Sequence, residues 1–179
     1  MKQKKCYLCW ILVTVFLAGV FFSCLGKKSA AGHSNHNSAR RLLLRDEGLS
    51  QLSYIDIARP ELNWFVPVPP GRDLQLVGNS RVLVGTANGF EEHEITTGKK
   101  SHELTAFPGT VTARRLRNGN TLLAGINWQG KNGIVLVEVD KMGKVLEVIS
   151  YPGYTYVRLI RETTSGTFLV TADETVFEG

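Results

Sequence analysis

A chain of 179 residues, 43% hydrophobic and 21% charged, is long enough for one domain with a real core and too apolar to stay disordered. Its net charge of +5 is concentrated before residue 51; from there on 13 Lys+Arg face 14 Asp+Glu, a balance of −1, which excludes a nucleic-acid-binding face on the domain. Cys6, Cys9 and Cys24 all fall in the first 24 residues, so the domain has no disulfide framework, thiolate metal site or cysteine nucleophile.

The chain opens with a cationic stretch containing Lys2, Lys4 and Lys5, followed by the apolar run Cys6–Phe22. Positive charge before an apolar segment is the pattern of an export signal, and residues 1–25 are assigned to it. Three forms stay open. A secretory signal would be removed. A lipoprotein signal would be cut before Cys24, the lipidation candidate, although Phe21-Phe22-Ser23 stands where such signals usually carry Leu three places before the cysteine. A retained anchor would use the 20 residues Cys6–Leu25 as a helix, since about 20 apolar residues span a bilayer. All three put the rest of the chain across a membrane, in a membrane-anchored, periplasmic or extracellular position.

Residues 26–40 begin GKKSAAGHSNHN, small and polar without periodicity, and form a flexible linker. His33 and His36 have the spacing of two ligands on a helix, but among Ser, Asn and Gly they belong to the linker and hold no metal.

Past the linker the expected strands come in units. The first unit, about 41–71, starts with Arg41–Arg45, continues through Ile55–Ile57 and Leu62–Val66, and ends at Pro70-Gly71. The second, about 72–109, runs from Leu74–Val77 through Val82–Val84 and the turn Thr97-Gly98-Lys99 to Pro108-Gly109. The third, about 110–153, has Thr112–Leu116, Leu122–Ala124, Val135–Val139 and Val145–Ile149 before Pro152-Gly153. A fourth, 154–179, holds Tyr156–Arg161 and Phe168–Thr171, with Thr175–Glu178 as the start of its third strand. Ile57, Ile95 and Val139 each precede the glycine of a Pro-Gly pair by 14 residues, and those glycines are 38 and 44 residues apart. Asn79–Gly85 matches Asn118–Gly125 as turn plus aliphatic strand. Four short antiparallel strands in about 40 residues make a β-propeller blade. A sandwich of unrelated strands would not repeat one interval. Leu74, Leu83, Leu122, Val137 and Phe168 are the expected core positions.

The segment Arg114–Leu123 (RRLRNGNTLL) resembles the strand-turn-strand of bacterial quinoprotein-like and arylsulfotransferase-like propellers, and Val137–Leu146 resembles a second hairpin of the same families. The resemblance covers most of residues 54–179. It implies an all-β propeller with four-stranded antiparallel blades, preceded here by the N-terminal apolar helix. Closed propellers have about four to eight blades, and about three are present, so the expectation is a fragment of a longer protein or a ring completed by several chains.

The resemblance transfers no catalytic residue. A sulfotransferase-like site needs an axial nucleophilic histidine, and the position where relatives often carry one holds Val111-Thr112. His93, amid Glu91, Glu92 and Glu94, and His102, on an outer strand, are expected to be solvated. No cofactor is expected; a quinone would need a full ring, stacking aromatics and calcium. Trp64 is assigned to packing, and Glu138 and Asp140 to a polar strand face. Asn127, Trp128 and Gln129 form a candidate ligand-contact loop, where an aromatic beside amides suits a sugar or planar ligand. The expected function is a non-catalytic binding or scaffolding module for a protein or glycan partner. The alternative is a truncated enzyme of the resembled families whose active site lies in further blades.

Overall fold

The computed structural model describes residues 40–173. The N-terminal segment with Cys24, the linker with His33 and His36, and the expected strand at Thr175–Glu178 lie outside the described residues.

Among the described residues, short β-branched and aliphatic runs separated by turn formers give thirteen strands in four small antiparallel sheets. The first sheet is β1 (Arg41–Asp46), β2 (Gln51–Asp56) and β3 (Trp64–Pro67). The second is β4 (Leu74–Val77), β5 (Arg81–Thr86), β6 (Gly89–Glu94) and β7 (Lys100–Leu104). The third is β8 (Thr110–Arg115), β9 (Thr121–Ile126), β10 (Ile134–Val139) and β11 (Val145–Tyr151). The last comprises β12 (Tyr156–Glu162) and β13 (Phe168–Asp173). Each strand pairs with its sequence neighbour within a sheet, the up-and-down order of a propeller blade. Among the described residues no helix is long and apolar enough to cross a membrane.

Three apolar layers separate the sheets. Leu52, Val68, Val82 and Val84 fill the first, between the first and second sheets. Leu83, Phe90, Ala113, Leu123, Val135 and Val137 fill the next. Leu122, Ala124, Ile134, Leu136, Val157 and Ile160 fill the last. Of the expected core positions, Leu83, Leu122 and Val137 are buried, and Leu74 and Phe168 are half-buried.

The sheets are less alike than their sequences. Aligning Gly85 with Gly125 makes Leu83 the counterpart of Leu123, yet both lie in the same layer, Leu83 facing forward from the second sheet and Leu123 backward from the third. The β8 bulge explains it. Val77 pairs with Arg81 across a three-residue turn and Arg115 with Thr121 across a five-residue one, an even difference that leaves the faces unchanged. The bulge between Thr110 and Thr112 supplies the odd residue. A one-residue slip exchanges the two faces of a strand.

Tight contacts hold neighbouring segments at fixed spacing. A Cβ on Gly125 would lie 2.1 Å from the Gly109 carbonyl oxygen, so only glycine lets the connection into the third sheet cross β9 there. Trp64 caps the β6–β7 hairpin from the first sheet. Its indole N–H donates to the Ile95 carbonyl at 2.9 Å, and its ring stacks on Tyr54 with centroids 5.9 Å apart. The packing role expected for Trp64 is the one it has. Asp140 organises the β10–β11 turn by accepting from the backbone N–H groups of Met142 and Lys144. Glu138 accepts from the amides of Asn118 and Asn120.

Candidate functional site

Strand β6 places most of the buried charge. It carries Gly-Phe-Glu-Glu-His-Glu where the corresponding strand β10 carries Ile-Val-Leu-Val-Glu-Val, and it is buried over most of its length. His93 is 3% exposed, which corrects the expectation of a solvated histidine. Its Nδ1 lies 2.9 Å from the Gly98 carbonyl oxygen and its Nε2 2.9 Å from a Glu91 carboxylate oxygen. A carbonyl only accepts, so Nδ1 is the donor to Gly98, and Nε2 faces the Glu91 carboxylate. Lys100 approaches the other Glu91 oxygen at 3.4 Å. With both nitrogens engaged, His93 has none left for a substrate. His102 is exposed on the outer strand β7, as expected, with its ring 5.5 Å from that of Phe90.

Glu92 faces the opposite way, into the layer between the second and third sheets, and is fully buried. Arg81 from β5 takes one carboxylate oxygen, and Arg115 from β8 takes the other at 2.5 Å. Arg115 also donates to the Gly119 carbonyl and lies over the Phe90 ring, 5.4 Å from its centroid. The two buried carboxylates of this strand, Glu91 and Glu92, are therefore paired with named basic side chains. Above the pair opens a cleft of about 500 Å³, lined also by Val77, His102 and Lys141.

A second charged group gathers at the first strands. Asp73, just before β4, accepts from Arg114 of β8 at 3.3 Å and from Arg161 of β12, whose Nη2 lies 3.2 Å away. One carboxylate thus ties three sheets. Burial holds the Arg114 guanidinium below its ordinary pKa, and the neighbouring Arg161 charge adds to the effect. Alongside, two guanidiniums approach the Tyr156 ring, Arg72 at 5.4 Å and Arg158 at 5.6 Å, and its hydroxyl accepts from Arg72 Nε at 2.9 Å.

The candidate ligand-contact loop is a single-turn segment, Trp128–Gly130, between β9 and β10. Trp128 is 8% exposed and stacks on Phe107 at 5.7 Å, pointing into the core. Asn127 uses its side-chain oxygen within the loop, accepting from the Gly133 N–H at 3.1 Å. Gln129 is exposed, with a left-handed φ of 48°. The structure does not bring this loop's residues together with either charged group. The Glu92 pair is not evident from sequence because Glu91, Glu92 and Glu94 around His93 read as a solvated stretch. The signal lay in the 14-residue frame, which aligns Ile95 with Val139 and so lays Glu91, Glu92 and His93 over the buried run Val135–Val137.

No family model matches the chain, and no curated protein matches it. Two solved structures do. A crystal structure of a protein of unknown function from Bacteroides caccae is 24% identical, with a TM-score of 0.50 over 74% of this chain and 50% of that one. The structure of BamB from Moraxella catarrhalis is 16% identical, with a TM-score of 0.43 over 68% of this chain and 37% of that one. The chain therefore spans half the length of the Bacteroides caccae protein. At this identity the likeness concerns the fold alone: a distantly related, propeller-like arrangement of small antiparallel sheets, without the specific mark of the quinoprotein-like or arylsulfotransferase-like families.

Proposed function

We propose that this protein is a non-catalytic binding or scaffolding module, carried across a membrane by its N-terminal segment and forming part of a larger propeller-like ring. One observation carries the non-catalytic reading: the buried carboxylates and the buried histidine of the described residues are engaged with named partners. His93 lies between Gly98 and Glu91, Glu92 is held by Arg81 and Arg115, and Asp56 by Arg41 and Arg59. A general base or nucleophile needs a free atom facing a substrate. The larger ring is supported by the half-length match to the Bacteroides caccae protein. It is supported too by the face of the first sheet turned away from the second, where Leu42, Leu44 and Phe65 are 43%, 45% and 58% exposed.

The test is made on the full chain in its native membrane fraction. Added protease should digest the domain from the non-cytoplasmic side only, and aryl sulfates should not be turned over in the presence of a phenol acceptor. Protection from external protease would overturn the exported reading. Sulfate transfer abolished by His93→Ala would overturn the non-catalytic one in favour of a sulfotransferase-like enzyme.

A further inference from the structure

The cleft between the second and third sheets combines charge and shape in a way that structural pairing alone does not require. Two guanidiniums from different sheets converge on Glu92, which is fully buried and whose two oxygens they occupy. A buried carboxylate needs compensation, and one arginine would leave the pair neutral. The second leaves an excess charge at the cleft floor. Lys141, on the exposed β10–β11 turn, adds another at the rim. Arg81, Arg115 and Lys141 against Glu92 give 3 − 1 = +2, in a domain whose balance from residue 51 onward is −1.

The donors are placed for use. Arg81 keeps 46% of its side chain exposed while tied to Glu92, and Arg115 is held by Glu92, Gly119 and the Phe90 ring. Guanidiniums fixed in this way lose little freedom when they bind an oxyanion, and their planar fork matches two oxygens at once. The cleft, about 500 Å³ with Val77 on its wall, has room for an organic group beyond the anion.

We infer that this inter-sheet cleft binds a small phosphomonoester, its dianionic phosphate on Arg81, Arg115 and Lys141 and its organic part against Val77. The inference goes beyond the module's export or scaffolding role and depends on neither.

Calorimetric titration of the full chain in detergent at low salt tests it, with phenyl phosphate as the probe and phenyl sulfate, the same shape with one charge fewer, as the comparison. Phenyl phosphate should bind saturably and about tenfold more tightly than phenyl sulfate. Lys141→Ala, an exposed turn substitution, should weaken phenyl phosphate about fivefold without altering the melting temperature. Arg81→Lys, which keeps a charge beside Glu92 but removes the fork, should weaken it about tenfold. Lys131→Ala, an exposed lysine outside the cleft, should leave binding unchanged. No saturable binding up to about 10 mM, equal affinity for the two probes, or full affinity in both Lys141→Ala and Arg81→Lys overturns the inference.

Discussion

At the residue scale the strongest consequences concern buried carboxylates. Removing Glu92 leaves Arg115, 17% exposed, facing an apolar layer with no counter-charge. Glu92→Ala is expected to lower stability by about 3 kcal/mol, measured by denaturant unfolding at constant slope. Loss of less than about 1 kcal/mol would mean that Arg115 reaches water unaided. Asp56 adds a pH dependence. Burial alone would raise its pKa, but the Arg59 side chain and the backbone N–H groups of Arg59 and Ala58 donate to its carboxylate and hold it below the usual range. A carboxylate depressed in the folded state contributes stability that is present above its unfolded pKa of about 3.9 and lost as pH falls through the folded value. Thermal melts should thus show acid destabilisation setting in below about pH 4, shallower in Asp56→Asn than in wild type. Equal slopes in the two proteins would remove Asp56 from the account.

Charge was legible at these positions in the sequence, but its placement was not. Phe90–Glu94 reads as a hydrophilic stretch because four of its five residues are polar, yet residue type alone gives no indication that Arg115, 23 positions on, closes over Glu92. Trp128 shows the converse. Its neighbours mark a loop correctly, but the partner that draws the indole inward, Phe107, belongs to the connection between two sheets.

At the scale of strands and turns, the alternation of apolar positions located most strands, β6 excepted, because a period of two survives in a half-buried sheet. Register between sheets did not follow from it. Leu83 and Leu123 match in sequence and oppose each other in space, since the one-residue bulge in β8 sets the parity. Glycine positions give a direct check. Gly125→Ala drives a Cβ into the Gly109 carbonyl and should cost about 3 kcal/mol. Gly166→Ala, with φ of +82° but open space around it, should cost about 1 kcal/mol from backbone strain alone. Comparable losses in the two variants would show that close approach at Gly125 is not what the third sheet requires.

For the molecule as a whole, Asp73 is the tie to examine, since it joins the second sheet to the third and fourth through Arg114 and Arg161. Asp73→Asn should loosen the last sheet selectively. Amide exchange in β12 and β13 is expected to quicken about tenfold, with β9 and β10 unchanged. Uniform acceleration would indicate a global loss of stability instead. The Leu136 layer supplies the counterweight: Leu136→Ala, at a position 1% exposed between the third and fourth sheets, should cost about 3 kcal/mol.

By itself the sequence determined that this is an all-β chain of short antiparallel strands with glycine turns, because strand periodicity and turn chemistry are local properties that each segment carries. It also determined that positive charge gathers ahead of a nearly neutral domain. Only the tertiary structure decided which faces meet, that β6 is buried despite its charges, and that arginines from separate sheets converge on Glu92 and on Asp73. Those outcomes depend on contacts between residues 11 to 88 positions apart, whose energies come from desolvation and pairing between strands and sheets, and no local pattern records them.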